Sequence, residues 1–268
     1  MLLAITREVS SNIGGCELSY IDRQPIDVTL ARKQHRQYEE CLAALGCSLC
    51  RLPEQTSLPD SVFLEDTAIV LDELAVITRP GAESRRPETE SIAEVLARYR
   101  DLVFMKAPET LDGGDVLRLG RTLFIGQSHR SNKAAIRQLG DVLAEFGYSV
   151  TGMRVEGCLH LKSAVTQVAA DILLLNPDWV DAGSFGRVRF IEVDPGEPYA
   201  ANALMIGGTV IFPSTYPATR KRLEARGIRV AAVDVSELAK AEGGVTCCSL
   251  ILDVPAINVS NPAQKASV

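Results

Sequence analysis

The sequence predicts an α/β fold: a closed ring of about five ββαβ-type repeats, an α/β propeller. Three observations point there. Pairs of short apolar runs, each joined across a few polar or glycine residues, read as hairpins: Ala68–Leu71 with Ala75–Thr78, Asp115–Leu119 with Thr122–Ile125, Ala164–Val168 with Ile172–Leu175, and Ala203–Ile206 with Thr209–Phe212. A third strand follows each pair, usually after a helical stretch, and the pattern recurs every roughly 40–50 residues, the period of propellers and solenoids. The last run, Leu250–Leu252, has no hairpin partner of its own, and Leu2–Thr6 can supply one. That pairing closes the ring and removes the exposed sheet edges of an open array. Strictly alternating βαβ is the rival reading, and the paired short strands argue against it.

Taken in order, Leu2–Thr6 is a strand, and Ser10–Gln24 has no clear period and reads as a loop. Val28 to Leu45 carries apolar or aromatic side chains at 28, 31, 38, 42 and 45, a helical stripe ended by Gly46. Cys47–Leu52 is the returning strand. In the second unit the first hairpin leads through the turn-rich Pro80–Pro87 to a helix over Glu88–Arg98 and a strand at Leu102–Met105. In the third, the helix Asn132–Phe146 is closed by Gly147 before a strand at Tyr148–Val155. The fourth has a short or absent helix before Val188–Val193. The fifth has Tyr216–Arg226, capped by Gly227, then Arg229–Val235, and Ser236–Glu242 is a helical turn leading to the last strand. One domain is expected over residues 1–254, with a frayed tail over 255–268.

Composition excludes several classes. With 268 residues, 46% of them hydrophobic and 23% charged, the chain has ample length for a globular core. A net charge of −6 does not suit a nucleic-acid surface. Seven cysteines, an odd number without framework spacing, suit reduced thiols. Met1–Glu8 is charged too soon for a signal peptide, and no apolar run approaches the roughly 20 residues of a membrane span. The expected compartment is the cytoplasm, with no membrane partner.

In a ring, each unit lends a segment to the centre, so scattered polar residues can converge. The stretch Glu242–Leu250 holds two glycines, which free the backbone to bend or be approached closely, then Cys247 and Cys248 at the mouth of a strand. Such cysteines are core packing unless a base is supplied. Of three histidines, His35 falls beside Lys33 and Arg36 on what reads as a solvated helix face, and His129 lies in a loop. His160 sits between leucines just before a strand, a place for a fixed base or for a satisfied core histidine. Acidic residues cluster in Asp60–Asp66 and in Asp112-Gly113-Gly114-Asp115, where turn chemistry competes with a site role. Arg85 and Arg130 occupy tight loops, and a guanidinium fork suits either a carboxylate ligand or a surface ion pair. Cys47-x-x-Cys50 has metal-like spacing but no second pair. One thiol, one imidazole, several carboxylates and two arginines together suit an amino acid with a guanidinium side chain.

The segments "LPDSVFLEDTAIV", "ITRPGAESRRPE", "LDGGDVL", "FIGQSHRSN", "LHLKSA" and "GGVTCCSL" carry a resemblance to the dimethylarginine dimethylaminohydrolase family of the guanidine-modifying (pentein) superfamily. It spans about residues 2 to 252. The resemblance implies a five-bladed pentein α/β propeller with pseudo-fivefold symmetry. It implies Cys247 as nucleophile, His160 as catalytic histidine and Asp112 as the acid that orients it. Asp60, Glu65 and Asp66 match positions that grip the guanidinium, Arg85 and Arg130 a carboxylate clamp, and Leu18 a lid residue whose backbone meets the substrate. Cys248 should be a neighbour only. The implied reaction converts methylated arginines to citrulline and an amine, with no metal or organic cofactor. The implied partner is that small-molecule substrate, the protein being a monomer or homodimer. An arginine deiminase-like hydrolase and a non-catalytic binding protein of this fold, as in the ribosome anti-association factor, are the alternatives.

Overall fold

The computed structural model describes residues 1–255. The expected tail lies, from residue 256 onward, outside the described residues. Strand β1 (Leu2–Arg7), helix α1 (Val28–Ala44) and β2 (Ser48–Leu52) open the chain. Then come β3 (Ala68–Val70), β4 (Leu74–Ile77), α2 (Glu88–Leu96) and β5 (Asp101–Phe104). The third unit holds β6 (Val116–Leu119), β7 (Thr122–Gln127), α3 (Lys133–Ala144) and β8 (Ser149–Arg154). A one-turn helix α4 (Leu161–Ala164) leads into β9 (Val165–Ala169), β10 (Ile172–Leu175) and β11 (Arg189–Glu192), with only a 3-10 turn at Ala182–Phe185 where the other units have a helix. Last are β12 (Leu204–Ile206), β13 (Thr209–Pro213), α5 (Pro217–Ala225), β14 (Arg229–Val233), α6 (Ser236–Ala239) and β15 (Leu250–Asp253).

The described strands form five three-stranded sheets. In each, an antiparallel pair is joined by a parallel third strand: β4 pairs β3 with Val76 opposite Ile69, and β5 with Val76 opposite Val103. The sheet that closes the ring pairs β1 antiparallel with β15, Leu3 opposite Leu252, and parallel with β2, Leu3 opposite Ser48. The expected supply of the missing hairpin strand by the N-terminal segment is therefore what the fold does. Neighbouring sheets meet through their first strands, β15 against β3, β6 against β9 and β9 against β12. These first strands line the centre, and the helices lie outside.

Helix α1 shows why local sequence and packing agree. Asp27 caps it by accepting the Leu30 N–H at 3.0 Å, and Gly46 at φ +94° ends it in a conformation costly to other residues. Ala31, Tyr38 and Leu42 are fully buried against Ala4 and Ile211, each large apolar side chain contributing roughly 1.5–3 kcal/mol of burial. His35 does not lie on a solvated face. It is 2% exposed on that same inner stripe, four residues before Glu39, and burial pushes its imidazole down to about 4, so it packs as a neutral ring. Its neighbours Lys33 and Arg36 are exposed all the same, because helix direction changes about 100° per residue.

Candidate active site

Each hairpin enters the centre through the loop before its first strand, and these loops lie at one end of the ring. The loop before β3 brings Asp60, Glu65 and Asp66. That before β6 brings Asp112 and Asp115, that before β9 His160, that before β12 Asn202, and that before β15 Thr246 and Cys247. Because the hairpins are antiparallel, the far ends of β4 and β7 return to the same end and deliver Arg85 and Arg130. A small cavity of about 20 Å³ is walled by Asp60, Asp66, Arg85, Arg130, His160 and Cys247. Six of the nine expected residues thus share one space.

The His160 ring is 4% exposed. Its Nε2 lies 3.0 Å from Asp112 Oδ2, and its Nδ1 faces Asp66 Oδ1 at 3.7 Å. Burial alone would lower the imidazole, but Asp66, the hydrogen bond to Asp112 and the charge of Asp115 raise it to about 9. At neutral pH it is an imidazolium. Burial also works on Asp66, yet the His160 and Arg85 charges and the hydrogen bonds from Arg85 and the Gly114 N–H hold it down to about 2. Asp112 accepts in addition from the Gly81 N–H at 2.8 Å. Asp66, Asp112 and His160 place donor atoms within 4.8 Å of one another, a metal-capable spacing, but the partners just named already engage each of them.

Cys247 is half-buried, and its Sγ accepts from the Gly244 N–H at 3.3 Å. Burial, then the charges of Glu65 and Asp66, raise its thiol well above the ordinary value, so the resting group is a neutral thiol. The glycines before it serve close approach: a Cβ at Gly243 would overlap the Phe63 ring and one at Gly244 would overlap Asn202. The bend is made at Glu242 instead, at φ +57°. Cys248 is fully buried in the core, its thiol toward the Gly244 carbonyl.

Glu65 is placed differently from Asp60 and Asp66. Its N–H donates to the Cys247 carbonyl at 3.1 Å, and its carboxylate accepts from Lys162 Nζ at 2.6 Å and Thr246 Oγ1 at 2.7 Å. It faces the opposite side of the ring and borders a separate channel there rather than the small cavity. Asp60 does face the cavity. It accepts from the Glu17 N–H at 3.1 Å, and burial, despite the Arg85 charge, pushes its carboxyl up.

The two arginines also differ. Arg85 is spent on the protein: Nη1 donates to Asp66 at 2.5 Å, Nη2 to Glu88 at 2.8 Å and to the Phe63 carbonyl at 3.0 Å, and Nε to Glu88 at 3.1 Å. Arg130 is 5% exposed, and its buried Nη1 has no hydrogen-bond partner among the described residues. It is the guanidinium with donor capacity left for an incoming carboxylate. Leu18 packs, half-buried, against the core beneath α1, and its neighbour Glu17 borders the cavity. The same loop forms the roof. The N–H groups of Ser19, Tyr20 and Ile21 donate to the Glu242 carboxylate at 2.9, 2.5 and 3.0 Å. A space of about 20 Å³ holds about one water and does not admit an arginine-sized molecule as it stands, while Cys247 also borders a larger neighbouring pocket of about 180 Å³ lined by Tyr20, Cys158, Asn202 and Glu242. Sequence reasoning missed Glu88, although its spacing of three from Arg85 was a signal. It also missed Glu242, which no local pattern marks.

No family model matches the chain. It is 38% identical over 226 residues to the N(G),N(G)-dimethylarginine dimethylaminohydrolase of Pseudomonas aeruginosa, covering 84% of this chain and 89% of that one. It superposes with a TM-score of 0.89 and 35% identity on a cysteine-to-serine variant of the Pseudomonas aeruginosa enzyme complexed with citrulline, covering 93% of this chain and 98% of that one. It superposes with a TM-score of 0.90 and 35% identity on a histidine-to-glycine dimethylarginine dimethylaminohydrolase as its adduct with S-methyl-L-thiocitrulline, covering 94% of this chain and all of that one. With this identity over most of both chains and a shared five-sheet ring, the chain belongs to the dimethylarginine dimethylaminohydrolase family of the pentein superfamily.

Proposed function

We propose that this chain hydrolyses Nω-methylated L-arginines to L-citrulline and methylamine or dimethylamine through a covalent adduct on Cys247. The observation that carries the reading is the opposition, around one buried cavity, of a neutral thiol, a His160 imidazolium held by Asp112, and the cation-seeking carboxylates of Asp60 and Asp66. The relatives' citrulline complex and thiocitrulline adduct support the same chemistry here.

In this reading the substrate guanidinium lies between Asp60, Asp66 and Cys247. A cation beside the thiol favours its ionised form, and the thiol proton passes to solvent. The thiolate attacks the guanidinium carbon. The methylated nitrogen leaves with a proton from the His160 nitrogen that Asp112 does not hold, giving a thiouronium adduct. The now neutral imidazole takes a proton from water as it attacks the adduct carbon, the C–S bond breaks, and citrulline and the thiol are released. Acid–base help of this kind is worth about 10²–10⁴-fold. Arg130 takes the substrate carboxylate. Glu65 and Arg85, expected beside the guanidinium and the carboxylate, also engage the protein, Glu65 through Lys162 and Thr246 and Arg85 through Asp66 and Glu88. The seven free thiols suit a reducing compartment, and we place the chain in the cytoplasm. The test is an amine-release assay on monomethylarginine, dimethylarginine and arginine. Release of methylamine and dimethylamine is expected, and release of ammonia from arginine alone would overturn the assignment.

A further inference from the structure

We infer that Asp115 is a positioning residue: its single carboxylate ties together the three loops that carry Asp112, Arg130 and His160. The inference rests on the roles proposed above for those three residues.

Asp115 is fully buried and is not part of the wall of the small cavity. Its Oδ1 accepts from the Leu161 N–H at 3.0 Å, the residue directly after His160. Its Oδ2 accepts from both Ser128 Oγ and Ser131 Oγ at 2.6 Å. Each hydroxyl then acts as an acceptor in turn. Ser128 Oγ takes the Arg130 N–H at 3.0 Å and the Ser131 N–H at 3.2 Å, and Ser131 Oγ takes the Asp112 N–H at 3.1 Å. One anion therefore sets the backbone at Asp112, at Arg130 and beside His160.

The donor count fixes the residue type. The group at this place meets three donors and must accept at both of its ends. An asparagine of the same shape carries an NH2 at one end. Turned one way, that NH2 points at the Leu161 N–H. Turned the other way, it points at two hydroxyls, and the lone pairs of Ser128 are already taken by backbone N–H groups. Either orientation leaves buried donors facing each other, and one loop must move. Burial in this network pushes the Asp115 carboxyl up to about 6, with the His160 charge and the two serines opposing the rise and Asp112 adding to it. It remains an anion at neutral pH. His160 itself is faced by Asp66, Asp112 and Asp115, with His129 and Arg130 on the adjoining loop.

The experiment compares Asp115→Asn, Ser131→Ala and Ser128→Ala in the full chain. Asp115→Asn should lower kcat/KM by at least about tenfold, since displacements near 1 Å cost about 10²-fold. Ser131→Ala cuts the branch to Asp112 and should lower kcat more than it raises KM. Ser128→Ala cuts the branch to Arg130 and should raise KM more than it lowers kcat. A packing role would lower the melting temperature and leave both constants of the folded enzyme alone. Should Asp115→Asn fail to fold, the two serine variants decide, and wild-type kcat and KM in both would overturn the inference. The His160 titration, followed by NMR, needs no turnover. It should move away from about 9 in Ser131→Ala, which keeps the Asp115 charge and frees only the Asp112 backbone from the tie; an unmoved titration counts against the inference. A wild-type chain that releases no amine from any methylarginine would sink the functional reading instead, and the titration would still decide the role of Asp115.

Discussion

Replacing Gly114 by alanine tests the site with a single added methyl group. A Cβ there would lie 2.6 Å from His160 Nδ1 and 2.7 Å from Asp66 Oδ1, where ordinary contact begins at 3.4 Å. One of the groups must retreat by about 0.8 Å, the shortfall from 3.4 Å. His160 is anchored on its other side by the 3.0 Å bond to Asp112, and Asp66 by Arg85. The methyl group therefore pries apart the pair proposed to hold the substrate and move the proton. A displacement of this size predicts a loss in kcat of about 30–100-fold. The backbone itself tolerates the change, because Gly114 is not among the glycines with positive φ. Steady-state amine release from dimethylarginine, beside a thermal melt, separates rate from folding. Gly14→Ala is the control, since nothing lies within 4 Å of its Cβ. A Gly114→Ala enzyme with kcat within about threefold of wild type would refute the geometry on which the proton relay is argued.

Cys247→Ser should abolish turnover, whereas Cys248→Ser, deep in the core with its thiol toward the Gly244 carbonyl, should keep kcat and lose some stability; the reverse pattern in an amine-release assay would exchange their roles. Arg85→Lys should lower the melting temperature, because it strips a buried fork from Asp66, Glu88 and the Phe63 carbonyl, while Arg130→Lys should chiefly raise KM. Equal effects of the two changes on stability and on KM would contradict the division of labour drawn here. Stability should also fall between pH 7 and pH 9. The folded-state pKa of His160, about 9, lies above its ordinary 6.5, so its contribution is complete below 6.5 and disappears as pH rises through 9. Melting temperatures across that range test this, and His160→Asn should flatten the decline.

Much of the architecture was legible before any coordinates. The hairpins, the helix at Val28–Ala44 and the ring closure by Leu2–Arg7 all follow from apolar periodicity and from the cost of an open sheet edge. The motif order also marked Cys247, His160 and Asp112, and His160 and Asp112 do meet at 3.0 Å. Residue type alone could not say which charges were already spent. Arg85 and Arg130 read alike in sequence, as do Glu65 and Asp66. Only folding brings Glu88 to saturate Arg85, Lys162 and Thr246 to engage Glu65, and Glu242 under the backbone of Ser19–Ile21 from more than two hundred residues away. The burial of His35 belongs with these, since it depends on which helix face meets the sheet. Local pattern determines strands, helices and turns because backbone sterics and apolar spacing act over a few residues. The partner of each buried charge, and hence its pKa and its availability to a ligand, is set by contacts between distant loops, and those exist only once the ring has closed.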